Sequence, residues 1–193
     1  MKRFLVGLCL FFFLGTSWEV GAFDETQLQK LQLLGESCPS CDLSRAKLSK
    51  EDLSGRNLTE ADLTQADLNG ANLSGANLTN AKLTGALLGT ANLNKADLTW
   101  AELIAANLNW AVLTEVNMTG ANLTKATLMW AKLTGANLTD VTLKGANLGG
   151  ANLSGANLSA ADLSGANLTW AVLTGATFCN TTMADGVVRN SGC

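Results

Sequence analysis

Leucine returns every fifth residue from Leu43 to Phe178, through 28 consecutive pentads in one register, with Met118 and Phe178 as the two departures. Two residues before each centre stands Ala in 23 of the 28 pentads. With the centre called i, the unit reads Ala at i−2, Asn or Asp at i−1, Leu at i, Ser or Thr at i+1, and Gly or a polar residue at i+2. Ala71-Asn72-Leu73-Ser74-Gly75 is one clean copy. A period of five fits neither the 3.6 of a helix nor the 2.0 of a flat strand. A helix would spread the leucines around its circumference, and a strand would send them alternately to opposite faces. The chain must therefore turn once per pentad so that every centre points the same way. A coil with four short extended sides, cornered by tight turns of Gly, Asn, Asp or Ser, does this. Positions i and i−2 are two apart on an extended piece, so both point inward. Room for one large side chain per side explains the pairing of Leu with Ala.

The pentads over residues 41–178 resemble those of the pentapeptide-repeat family, whose consensus is A(D/N)LXX. The resemblance implies an all-β fold, a right-handed quadrilateral β-helix of about seven coils; the handedness comes from the family and not from the spacing. Seven coils at the strand spacing of ~4.8 Å make a rod roughly 35 Å long. Stability in such a solenoid is a sum over neighbouring coils, each buried Leu contributing on the order of 2 kcal/mol before ordering costs.

The chain start lies outside that pattern. Lys2 and Arg3 precede an apolar run from Phe4 to Gly15, and Val20-Gly21-Ala22 supplies small residues for cleavage before Phe23. This organisation predicts a secretory signal peptide over residues 1–22. The other reading is an uncleaved membrane anchor, for which the run is short; no second apolar stretch follows, so no membrane association is expected after cleavage. Loss of Lys2, Arg3 and Glu19 makes the formal charge of −3 one unit more negative. The charges are scattered, so no basic patch for nucleic acid arises. Residues 23–40 are expected to form an N-terminal cap, with a short helix over Asp24–Leu34 capped by Asp24 and stopped by Gly35. Such a helix would cover the open end of the solenoid, whose strand edges and apolar core otherwise invite polymerisation. Glu51 and Arg56 stand at inward i−2 positions near that end and are expected to pair with each other or with the cap. Residues 179–193 leave the pentad as a C-terminal cap, with Asp185-Gly186 turning between two short extended pieces.

Four cysteines remain after cleavage: Cys38, Cys41, Cys179 and Cys193. An even count in an exported chain predicts disulfides. The rod separates the first two from the last two, and a bridge needs Cα atoms within ~7 Å. The expected pairs are Cys38–Cys41 and Cys179–Cys193. Cys38-Pro39-Ser40-Cys41 also has the C-x-x-C form of a redox motif, but that chemistry wants a helix N-terminus beside a βαβ sheet, whereas here the motif leads into a β-solenoid.

The chain has no His and no Tyr, and no nucleophile elbow, phosphate loop, dinucleotide fingerprint or metal-ligand spacing. No cofactor and no enzymatic activity are expected, and the plentiful Ser, Thr, Asp and Asn read as turn and surface residues. Trp100, Trp110, Trp130 and Trp170 all fall at i+2, near corners and facing outward. Trp110 and Trp130 are one coil apart and should touch; Gly150 interrupts the column before Trp170. Val112, Val172 and Lys132 lie along the same edge, and Trp100 is on the opposite side. The strip reads as a packing ladder, as a face for a protein partner or lateral self-association, or as a sugar-stacking platform. The expected function is a non-catalytic structural or interaction module, a monomer or weak oligomer. Resemblance of the tail, CNTTMADG…RNSGC, to cyanobacterial members of the family implies the thylakoid lumen or periplasm. The alternative that the family offers is a DNA-mimicking gyrase inhibitor.

Overall fold

Residues 37–193 are described by the structure, a computed structural model. The expected signal peptide and the helix expected over Asp24–Leu34 lie outside the described residues. The remainder is the four-sided coil that the pentad demands. Each i−1 residue pairs in parallel with the residue 20 positions later, in an unbroken series from Asp42↔Asp62 to Asp162↔Thr182. Twenty residues therefore make one turn of the coil. The sides are numbered here by their leucine columns: side 1 carries Leu43, Leu63 and onward, side 2 Leu48 and onward, side 3 Leu53 and onward, side 4 Leu58 and onward.

Each side is held to the next coil by three backbone bonds per pentad. Leu68 N donates to Leu87 O at 2.7 Å, Gly70 N to Gly89 O at 2.9 Å, and Leu87 N back to Ala66 O at 2.9 Å. Each corner is closed by a fourth bond, such as Ala71 N to Leu68 O at 3.0 Å. That bond spans residues i to i+3, and residue i+2 has φ near +60° at every corner from Ser40 to Asn180. These are the marks of a type II turn. The Asx residue at i−1 stiffens the corner: its Oδ1 accepts the amide of residue i+1, as Asp62 does from Thr64 at 3.0 Å. The interior is one continuous column of Leu and Ala, fully buried through most of its length.

The inward register extends past both expected boundaries. Cys38 occupies an i position, its amide donating to Asn57 O at 2.8 Å, so the ladder begins within the segment read as a cap. At the other end Thr181 and Met183 are buried in the i−2 and i positions. Thr181 is polar there because its hydroxyl donates to Leu158 O at 2.6 Å, which satisfies it inside the core. The chain then reverses at Asp185-Gly186, with Gly186 N donating to Met183 O and Met183 N to Val187 O. β1 (Thr181–Thr182) pairs antiparallel with β2 (Val188–Arg189). The returning strand crosses sides 1 and 4, where Phe178 N donates to Ser191 O at 2.8 Å. The sulfur atoms of Cys179 and Cys193 lie at bonding distance, with Cα atoms 4.8 Å apart. Those of Cys38 and Cys41 do the same at the first coil, with Cα atoms 5.5 Å apart.

Candidate functional site: an aromatic corner

The corner between sides 2 and 3 carries the i+2 residues Trp110, Trp130, Gly150 and Trp170 in vertical order. Every one has left-handed backbone, with φ of 63°, 58° and 62° at the three tryptophans. A bulky L-residue in that region costs about 1–2 kcal/mol relative to Gly or Asn. Local preference therefore argues against tryptophan at these sites, and what offsets the cost has to come from side-chain contacts. Trp110 and Trp130 supply one such contact: their rings stack with centroids 5.7 Å apart and planes 17° apart. Stacking of this kind is worth about 0.5–1.5 kcal/mol beyond area burial.

Gly150 does not interrupt the column; it seats it. The ring of Trp130 lies so close over Gly150 that a Cβ there would come within 2.5 Å of ring carbon. At the diagonally opposite corner Trp100 lies over Gly120 in the same way, with a hypothetical Cβ 2.3 Å from the ring. Each ring thus leans onto the turn of the following coil, which must offer either another flat ring or no side chain. The sequence carried this signal as a glycine 20 residues after a tryptophan, twice.

Trp110, Trp130 and Trp170 are exposed at 59%, 43% and 79%, so the strip reaches the surface. Val112, Lys132, Asn152 and Val172 form the adjoining ladder on side 3; Lys132 and Val172 are exposed and Val112 is half-buried. Met129, exposed beside Trp130, extends the apolar strip onto side 2. The sequence analysis does not single it out, because Ser and Thr hold most i+1 positions.

The other expected site residues fall elsewhere. Glu51 and Arg56 sit half-buried at inward positions on neighbouring sides of the first coils. The Nε of Arg56 is buried without a hydrogen-bond partner. On the outer surface, Lys95 and Glu115 form an ion pair at 3.6 Å, and Lys144 and Asp162 one at 3.1 Å. Outward carboxylates serve the turns. The hydroxyl of Ser164 holds Asp162 below the usual carboxylate range, with help from Lys144. Ser54 does the same for Asp52, with Arg56 adding a smaller push. Among the described residues no group of three or more His, Cys, Asp or Glu is placed to hold a metal ion. No helix among them is long and apolar enough to cross a membrane.

Comparison with known proteins rests on this repeat. A family model described as pentapeptide repeats matches in 8 copies, over residues 40–75, 71–109, 101–140 and 136–175. Among solved structures, the chain is similar to HetL, a pentapeptide repeat protein involved in heterocyst differentiation regulation from the cyanobacterium Nostoc sp. strain PCC 7120. Identity is 33% over 80% of this chain and 88% of that one, with a TM-score of 0.29. It is also similar to a pentapeptide repeat protein from the Arabidopsis thaliana thylakoid lumen, at 39% identity over 51% of this chain and 68% of that one, TM-score 0.36. A third is QnrB1, a plasmid-mediated fluoroquinolone resistance protein, at 20% identity over 79% of this chain and 88% of that one, TM-score 0.41. No curated protein sequence matches the chain.

Proposed function

The chain belongs to the pentapeptide-repeat family, whose members fold as right-handed quadrilateral β-helices, and from that premise we propose that it is a non-catalytic interaction module whose Trp110–Trp130–Trp170 corner docks a protein partner. One observation carries the reading. Three tryptophans share one corner, each in backbone that disfavours it, and all three stay exposed at the surface. A purely structural ladder would bury its rings, whereas exposed aromatic clusters mark contact surfaces. We place the protein in an exported compartment on the basic and apolar leader of residues 2–15 and on the two cysteine pairs. The similar thylakoid-lumen protein makes the lumen one candidate compartment.

A gyrase-inhibiting duplex mimic would need continuous acidic columns. The outward column of side 1 instead reads Asp62, Lys82, Glu102, Asn122, Thr142, Asp162, so that alternative is not adopted. The test is a Trp110→Ser/Trp130→Ser variant compared with wild type by affinity capture from the native compartment and by sedimentation. Loss of a captured partner at unchanged Tm supports the docking face. A lowered Tm with unchanged association would make the stack purely structural.

A further inference from the structure

The C-terminal end of the coil is only half closed. On sides 4 and 1 the last coil is completed by the chain's own tail: Leu158 N donates to Thr177 O, Ala160 N to Cys179 O, Leu163 N to Thr182 O and Gly165 N to Ala184 O. At the next corner the chain turns back at Asp185-Gly186 instead of continuing onto side 2. The consequence is visible one coil on. In the coil beneath, Leu148, Gly150, Leu153 and Gly155 donate upward to Asn167, Thr169, Val172 and Thr174. Their equivalents one coil later, the amides of Leu168, Trp170, Leu173 and Gly175, donate to nothing among the described residues. The carbonyls of Ala166 and Ala171 likewise accept nothing there, although Ala146 and Ala151 accept from Asn167 and Val172. Leu168, Ala171 and Leu173, inward on this edge, are only partly buried where their counterparts below are fully so.

We propose that this edge, Ala166 to Gly175, binds an extended segment of a partner polypeptide as one added half-coil. The occupant is specified by the backbone itself. Free donors and acceptors at ladder spacing across two sides ask for a parallel strand, not for a globular surface. Partly exposed Leu168 and Leu173 ask for an aliphatic residue inward on each side. Trp170 fixes the corner. Its ring has no following coil to lean on, and the rule set by Trp100 against Gly120 and Trp130 against Gly150 requires a glycine or a flat ring at the same corner of the next coil. The recognised pattern is therefore Asx-aliphatic-x-Gly-small-Asx-aliphatic, threaded around the corner next to Trp170 on its open side. This site is reached through main-chain hydrogen bonds and does not depend on the Trp110–Trp130 stack.

The chain's own sequence supplies a probe. A peptide copying Ala146 to Gly155, Ala-Asn-Leu-Gly-Gly-Ala-Asn-Leu-Ser-Gly, lies one coil below this edge and has the required pattern. Added to the protein in solution and followed by amide chemical shifts, it should saturate and move the signals of Leu168, Trp170, Leu173 and Gly175. N-methylation of the peptide's two Asn amides, which would donate to Ala166 and Ala171, should weaken binding at least tenfold. N-methylation of its two Leu amides, which point away, should leave it within about twofold. Replacing the corner Gly by Val should also weaken it tenfold. No saturable binding at millimolar peptide, or binding indifferent to which amides are methylated, would overturn the proposal. So would finding those four amides already protected by concentration-dependent self-association of the protein. The Trp110→Ser/Trp130→Ser variant should bind the peptide as wild type does, so the two proposals fail separately.

Discussion

Leu158 and Leu168 occupy nearly identical pentads, Ala156-Asn157-Leu158-Ser159-Ala160 and Ala166-Asn167-Leu168-Thr169-Trp170. Leu158 is fully buried, while Leu168 is only partly so. The difference is not in their own sequence but in what lies above them. Phe178 and the returning tail complete the coil over side 4, and no described residue completes it over side 2. In a solenoid each coil is stabilised by its neighbours, so the same tripeptide is worth different amounts at different heights. Closing half an end protects the chain against edge-to-edge growth on that half and leaves the other half able to accept a strand.

That contrast can be broken most sharply by truncating the two leucines. Leu158→Ala should cost about 3 kcal/mol, within the usual range for a fully buried leucine, and Leu168→Ala about half as much, both read from urea midpoints at constant m. Equal losses would mean that the open half is covered in solution. A somewhat smaller effect is expected from Cys193→Ser. The Cys179–Cys193 link has a sequence separation of 14, and closing a loop of that size is worth about 3 kcal/mol at most. Hydrogen exchange should then quicken at Ala160 and Leu163, under the tail, and stay unchanged at Leu148 and Leu153. Uniform quickening would deny that the tail closes only its own half. The smallest effect concerns the corner beside the open half. Gly155→Ala meets no atom within 4 Å and pays only for its φ of +68°, about 1 kcal/mol. Gly150→Ala has the same φ but collides with the Trp130 ring, so it should lose about 1 kcal/mol more and alter tryptophan fluorescence. Equal losses would remove the seat that defines the glycine rule at Trp170.

Much of this was legible because a pentad is a local instruction. Ala71-Asn72-Leu73-Ser74-Gly75 already states which side chains go inward and where the chain turns; that the turn is type II, with Asn72 Oδ1 accepting the Ser74 amide, only the structure shows. The vertical contact of Trp110 with Trp130 followed from counting 20 residues. What could not be read was contact between residues whose register is set by the whole stack. Gly150 looked like a gap until the ring of Trp130 was placed over it. Thr181 and Met183 looked like tail because Thr-Thr-Met does not match the consensus. Only the buried bond from Thr181 Oγ1 to Leu158 O shows them continuing the core.

The amino-acid order by itself determined the coil: one large aliphatic inward per five residues, a corner that tolerates left-handed backbone, and aromatic residues stacked by the 20-residue period. Tertiary structure alone decided where the coil stops and which of its edges stay unpaired. Turn chemistry acts within four residues and is repeated 28 times. Closure of an end depends on a single reversal at Asp185-Gly186 and on the tail's fit across two sides, a long-range arrangement that no pentad encodes.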